Sequence, residues 1–196
     1  MSASPPLVVG VTGASGAELG RRLMLRLAEA RIPLVVTATE AGRRVWTEEL
    51  GTPLKATLAE LGEAVRYADI RDIGDAIASG SVPTRGMVVV PASMNLVAAV
   101  AAGRAENLLE RAADVTLKEG RQLTLVPRET PLSAIHLRNL LTLARLGVRI
   151  VPPMPAFYLR PQSLDDLYAA LTERIIQTLA LPDLPPAEDW QYRSDA

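Results

Sequence analysis

Cysteine is absent from the chain, and histidine occurs once, as His136, among 196 residues. Without cysteine the protein can form no disulfide, thiolate metal site or iron–sulfur cluster, and it has no cysteine nucleophile. A single imidazole argues against a histidine-rich metal site as well, so we expect no bound metal. His136 stands at a helical spacing among apolar residues, which indicates a buried or helix-capping residue rather than a catalyst.

Long apolar runs and an excess of one charge are also missing. No apolar stretch reaches the roughly 18 to 20 residues that a membrane-spanning helix needs, and no basic flank precedes the first apolar run. The formal net charge of −1 argues against non-specific nucleic-acid binding, because such binding depends on a basic surface. We therefore expect a soluble, cytoplasmic protein that binds neither nucleic acid nor membrane.

Several short apolar runs rich in β-branched residues predict strands. The chain length of 196 residues fits one domain. The runs are continuous rather than alternating, which is typical of strands buried on both faces of a parallel sheet. We predict a Rossmann-like three-layer α/β/α sandwich with a mostly parallel, doubly wound sheet over residues 1–180. The predicted strands are Pro6–Thr12, Leu34–Thr39, Gly86–Val90 with a stop at Pro91, Leu123–Val126 and Val148–Val151.

Two further segments have weaker patterns. Between residues 53 and 83 the sequence indicates connecting structure around one helix, because glycines interrupt the helical period. Residues 181–196 are rich in proline and acidic side chains, and we expect this tail to be poorly ordered without a partner.

A glycine turn, Gly13-Ala14-Ser15-Gly16, separates the first predicted strand from a helical pattern. Such glycines let a backbone approach a ligand at a helix N-terminus, where unpaired N–H groups favour negative charge. A turn that only joins a strand to a helix needs the same glycines, so the motif by itself is unspecific. In open α/β sheets, however, ligands bind beyond the carboxyl ends of the strands, where this turn lies.

Other polar residues follow the later strands. Ser93 and Asn95 could donate to a ligand, although capping of the next helix is the simpler role for Ser93. Arg128 and Glu129 come after the fourth strand and could instead form an internal ion pair. The loop that holds Phe157, the only phenylalanine, could be a plug for the core.

A charged stretch, Arg111–Glu119, surrounds short apolar runs with cations and carboxylates. Arg111 and Lys118 are seven residues apart and can share one helix face, which is usually a solvated face. Burying such charges costs several kcal/mol, of order 1–5, unless a partner pairs with them. An anionic ligand is the simplest such partner.

Taken in order, these motifs resemble the flavin prenyltransferases, the UbiX-like family. The resemblance covers nearly the whole chain except the tail. The motifs that begin at residues 110, 127 and 152 are specific in combination, whereas the glycine turn is not. The segments that carry it are GVTGASG (10–16), TEAGRRV (39–45), GMVVVPASM (86–94), ERAADVTLKE (110–119), PRETPLSAIHLRNLL (127–141) and PPMPAFYLRPQSLDDL (152–167).

The resemblance implies a metal-independent transferase that uses FMN. Such an enzyme joins the dimethylallyl group of dimethylallyl phosphate to N5 and C6 of reduced FMN. The product is prenylated FMN, which a UbiD-like decarboxylase uses. The resemblance also implies a homo-oligomer, a dodecamer built from trimers, with the site at contacts between subunits.

Roles for individual residues follow from the same resemblance. It implies catalytic roles for Ser15, Glu49 and Glu129, with Glu48 the alternative to Glu49 if the alignment shifts by one. The implied FMN contacts are Gly13, Ala14, Ser15, Thr39, Ser93, Met94, Asn95, Leu96 and Arg128. The implied contacts to the prenyl phosphate are Arg111, donated across a subunit contact, Lys118, Tyr158 and Arg174.

Some positions depart from the family pattern, and two other functions stay open. Ala92, Leu96 and Gly120 stand where the family commonly has cysteine, threonine and arginine, which removes a hydroxyl from the flavin turn. One alternative is an FMN-dependent cysteine-decarboxylase-type flavoprotein, although these enzymes use a histidine after an early strand and His136 lies elsewhere. The other alternative is a non-catalytic flavin-binding accessory subunit.

Overall fold

A single parallel sheet organises the chain. The computed structural model describes residues 4–184, and within that range six strands pair in the order β3-β2-β1-β4-β5-β6, all parallel. This order winds outward in both directions from β1 and β4, which confirms the predicted α/β/α sandwich. The strands are β1 Leu7–Val11, β2 Leu34–Ala38, β3 Val65–Tyr67, β4 Met87–Ala92, β5 Leu123–Pro127 and β6 Arg149–Ile150.

Helices cover both faces of the sheet. One layer of the core joins Val9 and Val36 to α1, α2, α3 and α7, and the other joins Val8 and Val89 to α4, α5 and α6. Neighbouring residues of a strand thus face opposite layers, which explains the continuous apolar runs. The α-helices of the described range are α1 Ala17–Glu29, α2 Glu40–Leu50, α3 Leu54–Glu60, α4 Met94–Ala101, α5 Leu108–Lys118, α6 Ala134–Arg145 and α7 Leu164–Gln177.

Two predictions about strands were wrong. The strand predicted to stop at Pro91 continues to Ala92, because the Pro91 carbonyl still accepts from the Thr12 N–H at 3.2 Å although proline has no N–H to give. The segment 53–83 contains the expected helix, α3, and also the edge strand β3. The three residues of β3 are incompletely buried, so they form no apolar run.

The end of the described chain packs onto the core. Leu181 and Leu184 are buried in the same layer as α1 and α7, and Asp183 pairs with Arg85 at 2.7 Å. Residues 181–184, the start of the segment predicted as a poorly ordered tail, are therefore packed against the domain. The rest of that segment, 185–196, lies outside the described residues.

Apolar side chains are exposed on α6 and on the loop after β6. Leu143 is the one buried residue of α6, whereas Ile135, Leu137 and Leu141 are each more than half exposed. Phe157 is 75% exposed, so the loop is not a core plug within the chain. Among the described residues, no helix has both the length and the apolar character to cross a membrane.

Candidate functional site at the carboxyl edge of the sheet

The polar residues predicted from the sequence meet where β1, β2, β4 and β5 end. The sheet order reverses between β1 and β4, and open α/β sheets form a ligand crevice at that point. The glycine turn follows β1, Thr39 follows β2, Ser93 follows β4, and Arg128 follows β5. Because the sheet is parallel, all four of these segments lie at the carboxyl ends of the strands, which we call the carboxyl edge; the opposite ends form the amino edge.

Local geometry explains why the turn has glycine at positions 13 and 16. Gly16 has φ +122° and is the N-cap of α1, a conformation that a side chain would strain. A Cβ on Gly13 would lie 2.6 Å from the Cβ of Ala41 in α2, so only glycine allows this close packing. Gly16 offers no side-chain cap, which leaves the first N–H groups of α1 available to another acceptor.

That acceptor is Glu49, from the last turn of α2. Its carboxylate accepts from the Gly16 N–H at 3.0 Å and the Ala17 N–H at 2.8 Å, and it also hydrogen-bonds the Ser15 hydroxyl. Burial works to raise the pKa of Glu49, but these hydrogen bonds and the charge of Arg128 outweigh it and lower that pKa below the ordinary value. Glu49 is therefore an ionised base at neutral pH.

Arg128 closes the other side of the turn. Its Nε donates to the Ser15 carbonyl at 3.3 Å, and its positive charge faces Glu49. The next residue, Glu129, is exposed and accepts from the Thr130 N–H at 3.1 Å. The structure thus brings Ser15, Glu49 and Arg128 into one contact group, with the Glu129 carboxylate open to solvent beside it.

Thr39 and Ser93 begin the helices that follow their strands. Thr39 Oγ1 accepts from the Gly42 N–H at 3.0 Å as the N-cap of α2, and Ser93 Oγ accepts from the Leu96 N–H at 3.4 Å as the N-cap of α4. The capping role predicted for Ser93 is confirmed. The N-termini of α2 and α4 consequently open at the same edge as that of α1, whose first N–H groups already bind the Glu49 carboxylate.

A buried hydroxyl that the sequence reasoning missed joins two of these strand ends. Thr12 is 1% exposed, and its Oγ1 donates to the Pro91 carbonyl at 2.8 Å and accepts from the Ser93 N–H at 2.7 Å. Only its place inside the GVTGASG motif could have drawn attention to it.

The start of α4 differs in detail from the prediction. The helix begins at Met94 rather than Leu96, and Asn95 is exposed in its first turn. The Leu96 side chain lies in the core beneath the turn, 3% exposed, and its N–H is bonded to Ser93. Ala92 is fully buried. Leu96 therefore presents no side chain to the crevice, so the predicted contact with FMN cannot come from that side chain.

The residues predicted for the prenyl phosphate do not join this group within the chain. Lys118 ends α5 just before β5 begins, so it lies at the opposite, amino edge of the sheet. Arg174 is in the last turn of α7, near Thr178, whose carbonyl accepts from Thr124 at the start of β5. Arg111 bonds Asp114 at 2.6 Å in the middle of α5, and Tyr158 is 68% exposed on the loop after β6.

Comparison with known proteins places this arrangement in a family. The model of the Flavoprotein family matches residues 1–176. A probable UbiX-like flavin prenyltransferase of Streptomyces sp. (strain D7) is 48% identical over 186 residues, which cover 94% of this chain and 90% of the relative.

Two solved structures have the same fold at high similarity. A dodecameric FMN-dependent UbiX-like decarboxylase from Escherichia coli O157:H7 has a TM-score of 0.87 and 41% identity, over 95% of this chain and all of that one. AnUbiX (PadA1), solved with FMN and dimethylallyl pyrophosphate, has a TM-score of 0.87 and 36% identity, over 96% of this chain and all of that one. The fold and the crevice define a flavoprotein, and within that class the chain belongs to the UbiX-like flavin prenyltransferase family.

Proposed function

We propose that the protein is a flavin prenyltransferase that joins the dimethylallyl group of dimethylallyl phosphate to N5 and C6 of reduced FMN. The observation that carries this proposal is the Glu49 carboxylate, held ionised by the α1 N-terminus beside Ser15 and Arg128. Closing a ring onto an aromatic carbon requires that the carbon lose its proton, and a fixed carboxylate can take it.

The carboxyl edge fits FMN by the chemistry of its donors. Glu49 occupies the first N–H groups of α1, but the N-termini of α2 and α4 open at the same edge, with Thr39 and Ser93 as their caps, and they suit a phosphate-bearing ligand. Gly13, Ala14, Met94 and Asn95 belong to the adjoining turns, where the side chains of Ala14 and Met94 are buried and the backbone would make the contact. When bound, reduced FMN supplies the nucleophilic N5 and the neighbouring ring carbon. Arg128 would hold the flavin against the Ser15 turn, and Glu129 is the second carboxylate at this edge.

The prenyl phosphate needs nearby cations, and the predicted ones lie away from the carboxyl edge of this chain. As the bond between the prenyl carbon and the phosphate oxygen breaks, its electron pair goes to the phosphate, and nearby cations stabilise that charge. Lys118, Arg111 and Arg174 supply suitable cations, but Lys118 and Arg174 lie toward the amino edge of the same chain, whereas Tyr158 is on the loop that follows the carboxyl end of β6. We infer that neighbouring copies complete each site, with water excluded from the allylic centre by the contact.

Exposed apolar surface supports such assembly. The face of α6 formed by Ile135, Leu137 and Leu141, together with Phe157, leaves large apolar side chains uncovered in a single chain. The similar E. coli protein is dodecameric, and we propose the same state here. The product, prenylated FMN, would serve a UbiD-like decarboxylase, and we propose that both act in the cytoplasm.

The two alternatives receive less support. A cysteine decarboxylase of this fold would use a histidine, but His136 Nδ1 accepts from the Ser133 N–H at 3.3 Å in the capping box of α6. A non-catalytic flavin-binding subunit would have no need of a carboxylate fixed at the Ser15 turn.

The deciding assay uses purified protein, reduced FMN and dimethylallyl phosphate without oxygen, followed by mass analysis of the flavin. We expect the flavin to gain one dimethylallyl-derived unit. Bound flavin without a gain in mass would favour the accessory subunit, and release of carbon dioxide from a cysteinyl peptide would favour the decarboxylase. A parallel reaction with dimethylallyl diphosphate determines which donor is used.

A further inference from the structure

Two arginines hold the backbone of the loop Ala78–Thr84, which precedes β4; we call this segment the clamped loop. Arg111 Nε donates to the Ala78 carbonyl at 3.2 Å. Arg121 Nη2 donates to the Gly80 carbonyl at 2.8 Å, and its Nη1 donates to the Val82 carbonyl at 3.0 Å. Every second carbonyl along the loop therefore accepts a charge-assisted hydrogen bond, which fixes the path of the backbone.

Gly80, at the centre of the clamped loop, faces the end of α5. A Cβ placed on Gly80 would lie 2.5 Å from Lys118 Nζ and would overlap the carboxylate of Glu119, which is paired with Lys118. The backbone of Gly80 is not in the left-handed region, so its conformation alone would accept alanine. Both groups are the ends of flexible side chains, so an alanine at position 80 would displace the Lys118 ammonium and the Glu119 carboxylate rather than the backbone of the loop.

The clamped loop touches two cations that the proposed function assigns to the prenyl phosphate. Arg111 gives its Nε to the loop and Nη1 to Asp114, so the orientation of its guanidinium is set before a ligand arrives. The Lys118 ammonium pairs with Glu119 directly beside Gly80, on a side chain that is 44% exposed. A loop that served only as a connection would need neither contact.

We propose that the clamped loop positions Lys118 and Arg111 for the prenyl phosphate, with Gly80 and Arg121 as its positioning residues. Arg121 acts through the backbone, and Gly80 acts by leaving room for the ammonium. This inference rests on the proposed function, since it takes Lys118 and Arg111 as phosphate ligands. It adds two residues that need not touch the substrate.

The test compares Gly80→Ala with Gly74→Ala. Gly74 lies in the same connecting segment, is not left-handed, and a Cβ there would meet only Asp72 Oδ1, at an ordinary 3.4 Å. Titration calorimetry of dimethylallyl phosphate onto the FMN-loaded protein should show about tenfold weaker binding for Gly80→Ala, as expected when one charge-assisted contact is lost. Gly74→Ala should match the wild type, and both variants should keep wild-type FMN affinity.

A double variant separates an effect on Lys118 from an effect on Glu119. Glu119→Ala removes the carboxylate but leaves Lys118 Nζ 2.5 Å from a Cβ on Gly80, so adding Gly80→Ala to Glu119→Ala should still weaken phosphate binding. Equal binding by Gly80→Ala and Gly74→Ala would overturn the proposal. If Gly80→Ala does not fold, Arg121→Lys decides in its place. It keeps the charge but lacks the planar fork whose two nitrogens reach the Gly80 and Val82 carbonyls separately, and unchanged phosphate affinity would overturn the proposal equally.

The proposed function and this inference can fail separately. A wild-type protein that binds dimethylallyl phosphate but forms no prenylated FMN would overturn the function, while the binding comparison still judges the clamped loop. A wild-type protein that binds no dimethylallyl phosphate would overturn both.

Discussion

The two edges of the sheet hold the charged residues of the proposed reaction in different ways. At the carboxyl edge, Glu49 and Arg128 are anchored to the Ser15 turn by contacts within the chain. At the amino edge, Lys118 pairs with its neighbour Glu119, and Arg174 contacts Gln177 on its own helix. In the proposed function, folding alone prepares the base, whereas the cations would meet their substrate at a contact with a second copy.

In the proposed function, the carboxyl edge therefore depends on folding and the amino edge depends on assembly. The carboxyl edge holds its carboxylate with groups of the same chain, namely the backbone of the glycine turn, the Ser15 hydroxyl and the charge of Arg128. The amino edge needs a ligand, because cations left at a surface gain little from their neighbours. Substitutions at the two edges should therefore fail in different ways.

The largest effect is expected for Glu49→Gln. The amide keeps the size of the carboxylate but cannot take a proton, so turnover should fall by about a hundredfold or more. FMN binding, followed by flavin absorbance, should be retained. Glu48→Gln is the matched control, because Glu48 is exposed and pairs with Arg44 at 2.8 Å instead of reaching the turn. Loss of turnover in Glu48→Gln with full activity in Glu49→Gln would reverse the assignment.

Mixing variants tests whether the two edges come from different chains. Lys118→Ala should raise the KM for dimethylallyl phosphate by about tenfold or more, since one direct charge contact is lost. At limiting dimethylallyl phosphate, neither variant should turn over well by itself. Oligomers that mix Lys118→Ala chains with Glu49→Gln chains should regain turnover, because some of their sites would combine an intact Lys118 with an intact Glu49. A mixed preparation no more active than the sum of its parents would place both edges of the site in one chain.

The pH dependence of stability provides a smaller test. The folded-state pKa of Glu49 is below its ordinary value of 4.5, so the ionised carboxylate stabilises the folded protein above that pH. The contribution is lost as the pH falls through the lowered pKa. Acidification below about pH 4.5 should therefore lower the midpoint temperature of thermal unfolding more for the wild type than for Glu49→Gln. Parallel pH curves for the two proteins would contradict this account.

The smallest effect on FMN binding is expected for Leu96→Thr, which restores the hydroxyl common in the family. Because the Leu96 side chain is buried beneath the turn, the change should leave FMN affinity within about twofold and should lower stability by roughly 1–3 kcal/mol. Flavin titration and thermal unfolding measure the two outcomes. A clear gain in FMN affinity would show that this position faces the crevice.

The sequence predicted the parts of the fold that depend on local pattern. The continuous apolar runs of β1, β2, β4 and β5 were sufficient to predict a parallel sheet, and the glycine turn marked its ligand edge. The strand β3 was missed because an incompletely buried edge strand of three residues leaves no apolar run. The continuation of β4 through Pro91 was missed because proline is normally a stop.

The candidate site was less accessible to pattern reasoning. Glu49 lies 33 residues from Gly16 along the chain, and no local spacing signals their contact. Only the resemblance to the family proposed it. The roles of Thr12, Arg121 and Gly80 depend on contacts between distant segments, so they emerged from the structure.

The Thr12 hydroxyl has a consequence for the width of the crevice. By bonding Pro91 and Ser93 at once, it fixes the separation of the segments that leave β1 and β4. Its isostere, valine, would fill the same volume but would leave the Ser93 N–H unpaired and the Pro91 carbonyl with only the Thr12 backbone N–H as a donor. One side chain thus acts as a spacer between two turns of the cofactor pocket, and the dimensions of that pocket are set by an atom that need never meet the flavin.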